Sequence, residues 1–247
     1  MVSSGEFMVR TAMILAAGLG QRMRPLTDTL PKPLISVAGK SMLDRTFEHL
    51  KKIEISNIVV NTHYLAPLIV EHVNALYPHT SISHEEVLLE TGGGIKKALP
   101  MLGHDPFFVL NGDSIWSGPE NLIGMEKKWS KEKMDALLLL ISREQAHGYE
   151  GAGDFFMDSQ GRLHRPERDE YAPFVYIGVQ IVTSELFAQA PEGPFSMNLL
   201  WNKALEKDRL YGHIHGGEWF HMSTPQDLVK YEPIIASTQA SDRTPDR

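Results

Sequence analysis

Not one cysteine occurs among the 247 residues. That excludes a disulfide framework, a thiolate zinc site and a thiol nucleophile. Long apolar runs are missing too, and none approaches the roughly 18 residues that a membrane-spanning helix needs. There is no cationic excess: 24 Lys and Arg face 31 Asp and Glu, for a net charge of −7. Such a balance argues against a surface that follows nucleic-acid phosphates. The 11 histidines show no spacing characteristic of zinc. Met1 to Phe7 contains neither a cationic start nor an apolar core, so no secretion signal is expected there and cytoplasm is the expected compartment. Two phosphate loops are also lacking. No Gly-x4-Gly-Lys-Ser/Thr string occurs, and Met23 stands where a dinucleotide fingerprint needs its third glycine, which speaks against a dehydrogenase.

What remains is an ordinary globular composition, 42% hydrophobic and 22% charged, and enough length for a sizeable core. Strand and helix patterns alternate through the first half. Ala12 to Leu15, Asn57 to Val60 and Phe107 to Leu110 read as buried strands, with a weaker one at Ser81 to Ser83. Helices are expected after the N-cap Ser41, over 65–77, from Ile95 to Leu102 and around 119–131. Ala136 to Ile141 is apolar at every position, as a strand covered on both faces must be. Repeated β-then-α units imply an α/β fold, a doubly wound and mostly parallel sheet with ligands at the carboxyl ends of its strands. The second half is richer in strand signals: a hairpin over 153–163, a strand from Phe174 to Val182, then helices over 197–206 and 224–236. One domain is expected over 8–238, with 1–7 a non-native extension ahead of a second Met and 239–247 a polar, frayed tail.

The chemistry concentrates just after the first strand. Two glycines, Gly18 and Gly20, allow a sharp turn that brings amides close to an anion. Arg22, Arg24 and Lys32 follow, on a loop stiffened by Pro25, Pro31 and Pro33. A strand end, a glycine turn and prepositioned cations describe a polyphosphate site. Asn111-Gly112-Asp113 ends the strong strand at 107–110, where a carboxylate can hold Mg²⁺. Glu90-Thr91-Gly92-Gly93-Gly94 opens a helix and reads either as a capped glycine loop or as a surface against which a flat base can lie. Asn61-Thr62-His63-Tyr64 also ends a strand on the same face, with His63 as much a loop histidine as a ligand.

The run Leu15-Ala16-Ala17-Gly18-Leu19-Gly20-Gln21-Arg22-Met23-Arg24-Pro25-Leu26-Thr27, with Pro31-Lys32-Pro33 beyond it, closely resembles the signature of the sugar-1-phosphate nucleotidyltransferases. The resemblance covers most of the chain and implies the Rossmann-like single-domain fold of that family, with a β-rich sugar-binding second half. It implies Arg22 and Lys32 as catalytic cations. Nucleotide contacts fall by resemblance at Ala16, Ala17, Gly18, Gly20, Glu90, Gly92, Gly93 and Asn111, sugar contacts at Asp154 and Gly178, and Mg²⁺ (or Mn²⁺) at Asp113. The Glu-Thr-Gly-Gly-Gly segment, the short chain and the lack of a Glu-Lys-Pro sugar motif are similar to the N-acetylmuramic acid 1-phosphate uridylyltransferase branch, which works in cell-wall sugar recycling. UTP and that sugar phosphate are therefore the expected substrates, with GTP and mannose 1-phosphate the alternative. One departure stands out. The family's Trp-x-Asp-x-Gly-Thr reads Trp219-Phe220-His221-Met222-Ser223-Thr224 here, so a histidine replaces the second metal ligand. Imidazole is a poor Mg²⁺ ligand, which leaves a non-catalytic nucleotide-sugar-binding regulator open as another class. A monomer or small homo-oligomer is expected, with no nucleic-acid or membrane partner.

Overall fold

The computed structural model describes residues 8–118 and 120–241; the expected extension at 1–7 and the end of the tail lie outside them. Seven strands build the central sheet: β1 (Thr11–Leu15), β2 (Asn57–Thr62), β3 (Ser81–His84), β4 (Phe107–Asn111), β5 (Ala136–Ser142), β6 (Phe174–Val182) and β7 (Leu210–Ile214). They lie in the order β7-β5-β6-β4-β1-β2-β3. Among the described residues six α-helices accompany them: α1 (Met42–Lys51), α2 (Ala66–Leu76), α3 (Glu90–Leu102), α4 (Glu120–Lys128), α5 (Asn198–Leu205) and α6 (Pro225–Ser241).

β1 runs parallel to β2 and β4, β2 to β3, and β5 to β7. The one reversed strand is β6, antiparallel to both β4 and β5. Its direction has a simple cause. The connection from β5 to β6 carries no α-helix, and a parallel partner would need a crossover. Apolar residues on consecutive strand positions divide between the two faces of the sheet. Phe108 and Leu110 of β4, with Leu137, Leu139 and Ile141 of β5, join one core cluster; Phe107, Val109, Leu138 and Leu140 join the other. Helices cover both faces, which is why these strands show no polar alternation.

Local signals set the helices. Ser41 caps α1 by accepting from the Asp44 amide at 3.0 Å, and Leu43, Phe47 and Leu50 form its buried stripe. Thr224-Pro225-Gln226-Asp227 starts α6 as a capping box. The Asp227 carboxylate accepts from the Ser223 and Thr224 amides at 2.8 and 2.7 Å, with proline in the first turn. This helix runs past the expected frayed end, to Ser241. The expected hairpin is a short one, Phe156–Met157 against Leu163–His164. A separate small sheet joins three dispersed pairs of residues, with Trp219–Phe220 between Ile115–Trp116 and Ala146–His147. That ribbon delivers His221 to the mouth of the main sheet. Among the described residues no helix is long and apolar enough to cross a membrane.

Candidate active site

From β1 the chain moves outward to β2 and β3, then returns to place β4 on the other side of β1. The sheet therefore has its switch point between β1 and β4, where open α/β sheets form a crevice. Leu15 and Asn111 are register partners at that point. A cleft of two lobes opens outside them. The first, about 370 Å³, is lined by the loop Ala16–Gly18, Gly20, Lys32, Asn61, Leu88, Glu90, Thr91 and Ser196. The second, about 210 Å³, is lined by Arg22, Tyr149, Asp154, Tyr176, Gly178 and His221. Lys32, Asn111 and Asp113 belong to both.

In the first lobe the backbone of Ala16 is held in place by its amide donating to Asn61 Oδ1 at 2.7 Å. The following amides of Ala17 and Gly18 have no intramolecular acceptor among the described residues, and amides presented this way suit a phosphate. Lys32 Nζ lies 2.7 Å from Asp113 Oδ2, with only 14% of the lysine side chain exposed. Glu90 has a left-handed backbone, φ +58°, a conformation that costs on the order of 1–3 kcal/mol for a residue with a side chain.

The glycines of α3 need a correction. Glu90 and Thr91 line the lobe, but Gly92 and Gly93 do not. A Cβ on Gly92 would run into the Phe195 ring, and one on Gly93 would meet Gly193 O at 2.5 Å. Both amides donate to Phe195 O. Bare backbone here admits the 193–196 segment, not a base. Nor does Thr91 cap the helix; its hydroxyl accepts from the Met197 amide at 2.9 Å.

The second lobe is assembled around Gly178. Its φ of +87° sits at the irregularity where β6 changes register against β5, and a Cβ there would lie 2.8 Å from Asn111 Nδ2. Asp154 is half-buried beside it, one oxygen accepting from the Tyr176 amide at 2.9 Å. Burial raises its pKa, opposed by that amide and by Arg165. Ser114 Oγ donates to Ile177 O and accepts from Trp219 Nε1, each at 2.9 Å, tying the loop after Asp113 to the lobe's wall. His221 Nε2 is bonded to the Ser223 hydroxyl. Burial, then the charges of Arg22 and Lys32, push the imidazole below its ordinary pKa of 6.5, which favours its neutral form. His63 takes the structural role, with Nδ1 2.9 Å from Glu85 O.

The residues expected from the sequence thus meet in one cleft, apart from Gly92, Gly93 and Arg24, whose exposed guanidinium pairs with Asp28 instead. Sequence reasoning missed Asn61 as a site residue, and Ser114 and Tyr149 altogether. Position at a strand's carboxyl end was the available signal for Asn61; the other two depend on the small ribbon and the irregularity in β6, which leave no local pattern.

The nucleotidyl transferase family model matches residues 11–231. The chain belongs to the nucleotidyl transferase family. Among curated relatives, the N-acetylmuramate alpha-1-phosphate uridylyltransferase of Caulobacter vibrioides is 41% identical over 92% of this chain and 97% of its own. The mannose-1-phosphate guanylyltransferase catalytic subunit beta of Danio rerio is more distant, 28% identical over 88% of this chain and 62% of its own. Among solved structures, the inositol-1-phosphate CTP transferase from T. maritima shares the fold, with a TM-score of 0.75 and 18% identity over 95% of this chain and 98% of that one. Within such a nucleotidyl transferase fold, no group of three or more His, Asp and Glu that could hold a metal gathers among the described residues. Asp113 is the carboxylate common to both lobes. A single hard oxygen ligand fits Mg²⁺ or Mn²⁺, which take few protein oxygens when phosphates supply the rest.

Proposed function

We propose that this chain transfers a uridylyl group from UTP to N-acetylmuramic acid 1-phosphate, releasing pyrophosphate. The observation that carries the reaction class is the meeting of the two lobes at Lys32, Asn111 and Asp113. One lobe offers free amides and a lysine for a polyphosphate, the other polar groups for a sugar, and their shared edge is where the two phosphates would meet. The choice of uridine and of this sugar is supported by the relative that matches nearly end to end. The guanylyltransferase relative is both less identical and spanned only in part.

The sugar phosphate is already an anionic nucleophile, so no general base is required. Its oxygen forms the new bond to the α-phosphorus while the bond from that phosphorus to the bridging oxygen breaks, and the electron pair leaves with pyrophosphate. Positioning and charge neutralisation do the catalysis. Ala17 and Gly18 amides cradle the triphosphate, Lys32 and Arg22 offset charge in the transition state, and Asp154 and the neutral His221 orient the sugar phosphate. Asp113 would hold Mg²⁺, which supplies further charge neutralisation when bound.

A regulator that only binds nucleotide sugars would be expected to lose the loop cations, yet Arg22 and Lys32 both line the cleft. The test is pyrophosphate release across four NTPs and a panel of sugar 1-phosphates. UTP with N-acetylmuramic acid 1-phosphate should give the highest kcat/KM. A preference for GTP with mannose 1-phosphate would overturn the substrate assignment, and no release with any pair would overturn the activity.

A further inference from the structure

Behind the cleft lies an acid that lines neither lobe. Glu85 is 1% exposed, and no lysine, arginine or histidine forms an ion pair with it among the described residues. Burying a carboxylate without a cation is costly. Its compensation is two donors, Asn61 Nδ2 on Oε1 at 2.7 Å and the Leu89 amide on Oε2 at 2.9 Å, together with the positive end of α3, which starts one residue later.

Both carboxyl oxygens of Glu85 are thus taken as acceptors. That arrangement fixes more than its own position. With Nδ2 committed to Glu85, the Asn61 amide must turn Oδ1 toward the Ala16 amide, and it does so at 2.7 Å. Ala16 begins the phosphate loop; Leu89 adjoins Leu88, Glu90 and Thr91, the far wall of the same lobe. The two walls are therefore joined through one acid and one amide. Gly94 makes room for the junction, since a Cβ there would lie 2.6 Å from Glu85 Oε1 and 2.9 Å from Asn61 Nδ2.

We propose that Glu85 and Asn61 act as a single positioning unit, holding the phosphate loop and the Leu88–Thr91 wall at the spacing an NTP requires. The inference rests on reading this lobe as the nucleotide site. Neither residue touches the sugar lobe, so the unit acts on one substrate only.

Glu85→Gln tests it. An NH₂ group would then face either the Leu89 amide or the Asn61 amide, donor against donor, and the Ala16 tether would loosen. KM for the NTP should rise about tenfold, the loss expected when one hydrogen bond to a charged group goes, with KM for the sugar phosphate within about twofold of wild type. Asn61→Ala should do the same. The double variant should be no worse than the worse single, since the two residues act as one unit. Gly94→Ala reaches the unit from behind and should reproduce the NTP-selective rise, so the test survives if Glu85→Gln does not fold. Wild-type NTP KM in a folded Glu85→Gln, equal rises for both substrates, or effects that multiply in the double variant would each overturn the positioning role. Titration calorimetry separates the two readings. If wild type binds no NTP, the nucleotide assignment fails and this inference with it; if wild type binds and turns over NTP but the variants match it, only this inference fails.

Discussion

Lys32 and Asp113 are partners before any substrate arrives, 2.7 Å apart, so substituting either changes what the other can do. Lys32→Ala and Arg22→Ala should each lower kcat/KM by about a hundredfold or more, the usual cost of removing one preorganised charge. Both side chains lie on the loop before α1, and circular dichroism should show an intact fold. Asp113→Asn should nearly abolish Mg²⁺-dependent turnover, whereas His221→Ala should weaken it only moderately, since imidazole is a poor ligand for Mg²⁺. Measured Mg²⁺ dependence of the two variants decides the point: full activity in Asp113→Asn with its loss in His221→Ala would reverse the assignment. Gly178→Ala is a backbone test. At φ +87° and with Asn111 Nδ2 2.8 Å from the added Cβ, it should lose on the order of 1–3 kcal/mol in denaturant titration and raise KM for the sugar phosphate.

Helix α1 carries a prediction of a different kind. Burial works against the charge on Asp44, but hydrogen bonds from Ser41, His72 and Tyr77 hold its pKa below the ordinary 3.8. A depressed carboxylate pKa contributes stability above the unfolded value and loses it as pH falls through the folded one. Asp44→Asn should therefore be less stable than wild type at neutral pH, with the gap closing as pH drops below about 4. A gap that is constant with pH would mean the charge is irrelevant. At this scale the sequence was largely readable. Ser41, the apolar stripe of α1 and the uninterrupted run 136–141 each announce their element through local chemistry. Direction was not: nothing within Phe174 to Val182 says that β6 runs against its neighbours, because strand polarity is decided by the connection. The same limit explains the site. The loop from Ala16 to Gly20 is a few adjacent residues and shows its place in the cleft, as does Asp113 just past a strand end. Gly92 and Gly93 misled because a missing Cβ records a close approach without naming what approaches, and here it is Phe195 and Gly193.

For the whole molecule, the nucleotide lobe should behave as a ligand-linked stabiliser. UTP at about 100 times its Kd adds about 2.7 kcal/mol, a rise in Tm of about 5–10 °C for a domain of this size. GTP at the same concentration should give a smaller shift. Equal shifts in differential scanning fluorimetry would show that the lobe does not discriminate bases.

The ribbon that joins Ile115–Trp116, Trp219–Phe220 and Ala146–His147 has a consequence for biosynthesis. A chain grows from its N-terminus, so its N-terminal residues are the first available to fold. Nearly all the nucleotide lobe lies between Leu15 and Asp113, with Ser196 the exception, whereas the sugar lobe needs residues out to Met222. A nascent chain halted near the middle of its length would already own its phosphate loop, Lys32 and Asp113, yet have no wall against which a sugar could rest. The acceptor half of the cleft is the later of the two to be completed, because its wall waits on Trp219–Phe220, close to the C-terminal end of the chain.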